Sequence, residues 1–194
     1  MSDWPEIYIL RHGQTQWNAE HRIQGGFDSP LTELGRAHAR QQGAILAGCD
    51  LTGFAAFSSP QGRAFATAGL AVAGKIATIH TDDRLCEIRV GDYEGRVRQD
   101  LPGGAEADFT EESALHLYDH APGGEGFEGL HARCLSFLRD RRGTPMVIVT
   151  HGITSRMLRL ILTGQGIDAL PRVGGGQGVV FHLRDGRQRV LGTV

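Results

Sequence analysis

The stretch Glu6-Ile7-Tyr8-Ile9-Leu10-Arg11-His12-Gly13-Gln14-Thr15 joins a short apolar run of strand character directly to Arg-His-Gly, where a polar turn would be ordinary. A nitrogen nucleophile and a guanidinium therefore stand side by side at the carboxyl end of a strand. In open α/β sheets ligands bind outside these strand ends, so reactive side chains there face substrate. A neutral imidazole attacks phosphorus readily, and an adjacent Arg can hold two phosphate oxygens bidentately while it orients the reactants.

Working outward, strand and helix patterns alternate. Thr32 is placed to cap a helix whose pattern Leu34, Ala37, His38, Gln41, Ile45, Leu46 runs to Gly48, and Phe54-Ala55-Ala56-Phe57-Ser58 reads as a buried strand. Ser59-Pro60 is expected to open the next helix with a capping hydroxyl and Pro in the first turn, which also carries Arg63. Residues 76–81 predict a third strand and residues 127–141 a helix. Met146-Val147-Ile148-Val149-Thr150 predicts a strand ending at His151-Gly152, with residues 153–162 helical after it. Val179-Val180-Phe181-His182-Leu183 and Arg189-Val190-Leu191 read as a hairpin turning at Asp185-Gly186, whereas residues 16–31 read as loop. The fold expected is an α/β three-layer sandwich: a mostly parallel central sheet with helices on both faces and one antiparallel edge strand from the final hairpin. Residues 96–128 break the rhythm with Leu101-Pro102-Gly103-Gly104 and Pro122-Gly123-Gly124-Glu125-Gly126, and read as a lid insertion with a helix over residues 110–120.

A chain of 194 residues fits one domain, 1–194, able to bury about 70% of its unfolded surface. The net charge of -2 argues against a general nucleic-acid or membrane binder, so an anionic ligand needs a local Arg cluster. Residues 1–10 lack a basic leader pattern and no run approaches about 18 apolar residues, so a cytoplasmic protein is expected. Cys49, Cys86 and Cys134 are odd in number and widely spaced, which suits reduced core thiols better than disulfides or zinc. Gly174-Gly175-Gly176-Gln177-Gly178 lacks the Lys-Ser/Thr of a phosphate loop and reads as a turn.

Four stretches share one geometry, a strand end followed by charged or imidazole groups: Arg11-His12-Gly13, Ser58-Ser59-Pro60-Gln61-Gly62-Arg63, the segment around Glu87, and Thr150-His151-Gly152. Parallel strands bring such ends to one edge. Two Arg and two His could then meet there with a carboxylate at the rim, the charge inventory for a phosphoryl dianion, whose transfer needs mainly positioning and stabilisation of its oxygens. Arg11, Arg63 and a protonated His151 would supply the positive charge without a metal.

With these motifs in hand, the chain resembles the histidine phosphatase superfamily, the phosphoglycerate-mutase-like enzymes. The resemblance is carried by Arg11-His12-Gly13-Gln14-Thr15 with Trp17-Asn18, Ser58-Ser59-Pro60 with Arg63-Ala64 and Thr67-Ala68, Glu87 with Gly91 and Glu94-Gly95, Pro122-Gly123-Gly124-Glu125, and Thr150-His151-Gly152. It implies that His12 is the nucleophile that becomes phosphorylated. It implies further that Arg11, Arg63 and His151 bind the phosphoryl group with help from Asn18, and that Glu87 is the proton donor and later the base. Asp92, Glu94 and Glu125 are rival carboxylates nearby, and Gln24-Gly25 lies where family members often approach substrate. No cofactor is implied. The expected partner is a small-molecule phosphomonoester, with homodimer formation left open.

Mutases of the glycolytic type carry a C-terminal tail over the site, whereas this sequence stops at Val194 after a strand, which favours a phosphatase. The small phosphohistidine-protein phosphatases lack an insertion like residues 96–128, which argues against that branch. Gly126 stands where many relatives have Ser. The expectation is a metal-independent phosphomonoesterase, with a mutase-type phosphotransferase or a non-catalytic phospho-ligand binding module as alternatives.

Overall fold

The strand that opens the sequence is also the hub of the sheet. In the computed structural model, which describes residues 4–102 and 115–193, β1 (Ile7–Arg11) is buried from Ile7 through Leu10, as an unbroken apolar run requires when both faces are covered. Its neighbours are β4 (Met146–Thr150), parallel to it, and β5 (Val180–Arg184), antiparallel. With β2 (Ala55–Ser58), β3 (Ile79–Thr81) and β6 (Arg187–Leu191) the sheet has the order β3-β2-β4-β1-β5-β6. β2 runs parallel to both β3 and β4.

The alternation of side chains divides the core in two. Ile7, Ile9, Phe57, Met146 and Ile148 face α5 (Gly126–Asp140) and α6 (Gly152–Leu162), packing with Phe127, Leu130, Phe137, Met157 and Leu158. Tyr8, Leu10, Ala56, Val147 and Val149 face α2 (Glu33–Ala47) and α3 (Gly62–Ala71), where the partners are Leu46, Ala68 and Ala71. The three-layer architecture expected from the alternating patterns is therefore present, with the antiparallel part of the sheet confined to the edge hairpin. That hairpin turns at Asp185-Gly186, both with positive φ (52° and 72°), the type I′ geometry suited to the strand twist. The outer strand β6 is exposed and carries Arg187 and Arg189, charges that discourage pairing of a free sheet edge.

Local differences from the sequence reading have physical causes. Residues 16–31 are not all loop: α1 (Gln16–Ala19) is nucleated by a capping box in which Thr15 Oγ1 accepts from Asn18 N and Asn18 Oδ1 accepts from Thr15 N, both at 3.1 Å. The helix after Ser59-Pro60 starts only at Gly62, because the Ser59 hydroxyl is engaged elsewhere and Gln61 takes the cap position. β3 is shorter than residues 76–81, since its ladder with β2 spans only Ala56 to Ser58. Within 96–128, α4 (Leu115–Asp119) is the described part of the expected helix, and residues 110–114 lie outside the described residues. Leu101, Leu115, Leu117, Tyr118 and Ala121 are all buried in the larger core, so the flanks of this region are docked. No helix among the described residues is long and apolar enough to cross a membrane.

Candidate active site

Register decides what meets at the carboxyl edge. Arg11 is opposite Thr150 and Ser58 opposite Val149, and the chain continues the pairing one residue beyond the strands, His12 N donating to Thr150 O at 2.9 Å and Ser59 N to Val149 O at 3.0 Å. His12, Ser59 and His151 are thereby brought into one row. The imidazoles of His12 and His151 lie with ring centroids 5.2 Å apart.

His12 is 2% exposed, and its Nδ1 lies 2.7 Å from Gly13 O. A backbone carbonyl only accepts, so Nδ1 carries the proton and Nε2 keeps its lone pair. Burial first, then Arg63 and Arg11, push the His12 pKa well below the ordinary histidine range, while the Gly13 bond opposes this. The ring is therefore neutral at neutral pH, as a nucleophile must be. Gly13 itself is fixed from behind: its N–H donates to Thr67 Oγ1 at 3.1 Å, and a Cβ there would collide with the backbone carbonyl of Gly35 in α2. The glycine of Arg-His-Gly is thus demanded by a close approach of two backbones.

Arg63, in the first turn of α3, is 2% exposed. Its Nη1 donates to Phe27 O at 2.6 Å and to Asp28 Oδ1 at 2.9 Å, and its Nη2 to Gly25 O at 3.1 Å. Nε is buried and has no acceptor among the described residues. Asp28 Oδ1 also accepts from Arg63 N at 3.2 Å, which offsets a cation at a helix N-terminus. Arg11 lies across the start of α6, where a Cβ on Gly152 would stand 3.3 Å from its guanidinium carbon.

His151 is wholly buried, with Nε2 2.8 Å from Ser59 Oγ and Nδ1 without a hydrogen-bond partner among the described residues. Burial, then Arg63, His12, Arg133 and Arg11, push its pKa well below the usual range. Burial and the surrounding cations thus favour the neutral ring, where the sequence reading expected a protonated one.

Glu87 is 9% exposed and faces the same cleft. Its Oε1 accepts from Ile88 N at 3.0 Å and Thr154 N at 3.1 Å and lies 3.0 Å from the Thr154 hydroxyl, whereas Oε2, among the described residues, accepts from Ile153 N alone, at 3.2 Å. The carboxylate thus sits on the N-terminus of α6, with Oε2 the oxygen that has capacity to spare. The rival carboxylates are committed elsewhere. Glu94 Oε1 accepts from Gly26 N at 2.9 Å, and Glu125 is paired with Arg133 and accepts from Arg89 N at 2.9 Å. Neither these two nor Asp92 line the cleft.

Arg11, His12, Asn18, Gln24, Gly25, Arg63 and Glu87 line this narrow cleft together. Of the residues expected from sequence only His151 is recessed behind it. Asn18 spends its oxygen on the α1 cap, which leaves its amide nitrogen for a ligand. Gln24 is 7% exposed, and its Oε1 has no partner among the described residues.

Several neighbours were not foreseen. Arg22, Arg98 and Tyr118 form the outer wall, and Gln177, in the loop read as a plain turn, donates to His12 O at 3.1 Å. Gln42, fully buried in α2, donates to Arg11 O at 2.9 Å. Gln42 and Gln177 grip backbone carbonyls from distant segments, which leaves no local sequence signal; the polar Gln42 on the apolar face of α2 was the one available hint.

Known proteins share this sequence pattern and this fold. The chain is 36% identical over 163 residues to Phosphoglycerate mutase-like protein 4 of Arabidopsis thaliana, covering 80% of this chain and 70% of that protein. It is also 36% identical over 153 residues to the probable phosphoglycerate mutase GpmB of Salmonella choleraesuis, covering 76% of this chain and 70% of that one. Among solved structures, it superposes on mycobacterial glucosyl-3-phosphoglycerate phosphatase in complex with VO3 with a TM-score of 0.78 at 28% identity, covering 96% of each chain. A putative alpha-ribazole-5'-P phosphatase from Escherichia coli shares the fold at a TM-score of 0.78 and 24% identity, over 98% of this chain and 97% of that one. The profile of the histidine phosphatase superfamily (branch 1) matches residues 7–191, and the chain belongs to that family.

Proposed function

We propose that this protein is a metal-independent phosphomonoesterase that works through a phosphohistidine on His12. The observation that carries the reading is the pairing of a neutral His12, its Nδ1 proton held by Gly13 O, with two buried nitrogens, Arg63 Nε and His151 Nδ1, that have no hydrogen-bond partner among the described residues. Buried polar groups are nearly always satisfied, so unsatisfied ones around a nucleophile are reserved for an oxyanion.

In this reading the phosphoryl oxygens take hydrogen bonds from Arg11, Arg63, His151 and the Asn18 amide. The dianion sets negative charge among these cations, which favours a second proton on His151 when substrate binds. His12 Nε2 attacks phosphorus in line, the P–O bond to the leaving group breaks, and Glu87, which enters the cycle protonated on Oε2, gives that oxygen its proton. The resulting carboxylate then takes a proton from water, which attacks the phosphohistidine and frees His12 and inorganic phosphate. Arg11 and Arg63 supply permanent positive charge, so no step calls for a metal. The names of the Arabidopsis and Salmonella relatives favour a second reading, in which the phosphoryl group returns to another hydroxyl of a phosphoglycerate-like substrate.

The test is phosphate release from p-nitrophenyl phosphate in EDTA, wild type beside His12→Ala, with acid-labile protein-bound phosphate followed in parallel. Turnover that survives chelation, with a transient acid-labile phosphate lost in His12→Ala, is expected. A long-lived phosphoenzyme that discharges only to an added hydroxyl acceptor would make it a mutase, and phosphate binding without turnover a binding module. Full activity in His12→Ala would refute the nucleophile assignment.

A further inference from the structure

Gln61 holds the N-cap position of α3 yet makes no side-chain cap bond; Asp28, from another loop, serves the first turn instead. A helix start normally gains about 1 kcal/mol from a capping side chain. Local rules broken in this way tend to mark function.

The half-buried side chain is diverted instead to bridge Gly25 and Glu87, two residues that line the cleft. Its Nε2 donates to Gly25 O at 2.8 Å and its Oε1 accepts from Glu87 N at 2.8 Å. The partners dictate the amide's orientation, since a carbonyl only accepts and an N–H only donates. Gly25 O is the same carbonyl that receives Arg63 Nη2. The Gln61 N–H donates to Ser59 Oγ at 3.2 Å, the hydroxyl that contacts His151. One residue therefore ties the loop that carries Gly25, the row of imidazoles and the backbone of the candidate acid.

We infer that Gln61 is a positioning residue for proton transfer: it fixes the Glu87 backbone, and through it the carboxylate, at the distance the leaving-group oxygen requires. The inference rests on the acid role proposed for Glu87. Without the Gln61 amide, Glu87 N–H has no acceptor among the described residues, while Cys86 keeps its bonds to Asp83 O and from Thr154 Oγ1, so the change is confined to the Glu87 peptide and the carboxylate it carries. Arg63 keeps Phe27 O and Asp28, so the phosphoryl pocket stays formed. The defect falls on the acid and spares the nucleophile.

The dependence on leaving group reads this out. Nitrophenolate departs without help, whereas an alkoxide needs its proton in the transition state. For Gln61→Leu, kcat/KM toward β-glycerophosphate is expected to fall about 10- to 100-fold, with a fall under about threefold toward p-nitrophenyl phosphate. Inhibition by inorganic phosphate should stay within about threefold of wild type. Gln61→Met, of matching length, provides the same comparison if the Leu variant does not fold. Glu87→Gln is the reference and should discriminate between the two substrates more steeply still. Equal losses on both substrates, or none, in the Gln61 variants beside a discriminating Glu87→Gln would overturn the inference alone. A Glu87→Gln enzyme that treats both substrates alike would overturn the acid assignment and the inference with it.

Discussion

Thr67→Val tests how the nucleophile is braced. Thr67 is fully buried in α3, its hydroxyl accepting from Gly13 N at 3.1 Å and donating to Arg63 O at 2.8 Å. Valine reproduces the shape, so no cavity opens. Arg63 O lies inside α3 and retains its helical donor. What changes is Gly13 N–H, left buried without an acceptor at a cost of about 1–3 kcal/mol. For a domain of this size that lowers the melting temperature by about 2–4 °C per kcal/mol. Urea denaturation should show a lower midpoint at unchanged slope, and Thr67→Ser, which keeps the hydroxyl, should recover most of it. The Gly13 peptide also presents the carbonyl that holds His12 Nδ1, so kcat should fall along with stability, by up to about 100-fold if the ring shifts by an ångström. A valine variant within about 0.5 kcal/mol of wild type would refute the reasoning, because surface-like tolerance at this site would mean the hydroxyl is not the N–H's essential acceptor.

Three further outcomes are expected. Arg63→Lys, which replaces a guanidinium holding three acceptors at once by a point charge, should lower kcat/KM by about 10²- to 10³-fold in steady-state assays; a loss under about tenfold would argue against phosphoryl contact through Nε. Asn18→Asp keeps the oxygen that caps Thr15 N, so thermal stability should hold, but it sets a carboxylate where an amide nitrogen faced the dianion; inhibition by inorganic phosphate should weaken at least about tenfold, and unchanged inhibition would place Asn18 outside the binding shell. Burial and the neighbouring cations hold His12 and His151 below the range of a free imidazole, so the unfolded chain takes up protons first as pH falls. Their contribution to stability is complete above about pH 6.5 and is lost below it, by up to about 1.4 kcal/mol per pH unit for each ring. His151→Asn should flatten that acid limb in denaturation curves, and parallel curves would contradict the assignment.

Much of this architecture is legible in the chain because its signals are local. The unbroken apolar runs of β1 and β4 announce strands covered on both faces, Asp185-Gly186 announces its turn, and the placing of Arg-His-Gly and Thr-His-Gly immediately after strands follows from reading those runs to their ends. The family resemblance implied the roles expected of Arg63 and Glu87; in the structure Glu87 lines the cleft, whereas Glu94 and Glu125 are bonded elsewhere. What was not legible is set by contacts between distant segments. Ser59 looked like a cap because its sequence neighbours are a proline and the start of a helix, and only the fold brings His151 to its hydroxyl. Asn18 carries two tasks, of which a loop reading detects neither the cap nor the spare amide. Gln42, Gln61 and Gln177 grip carbonyl groups or an N–H from far along the chain, and no periodicity encodes such a partner.

The pairing of β1 with β4 has a consequence for how the protein comes into being. Ile7 finds Met146 and Arg11 finds Thr150 across most of the chain's length, and the His12 N–H to Thr150 O bond extends that ladder by one residue. Non-local pairings of this kind form late and slowly compared with helices. On a refolding time course, helical signal should therefore rise well before either imidazole has its neighbour, and a ribosome must release most of the polypeptide before the two can meet. Recovered turnover is then a clock for completion of the central sheet, silent in every partly folded species that still holds β1 and β4 apart.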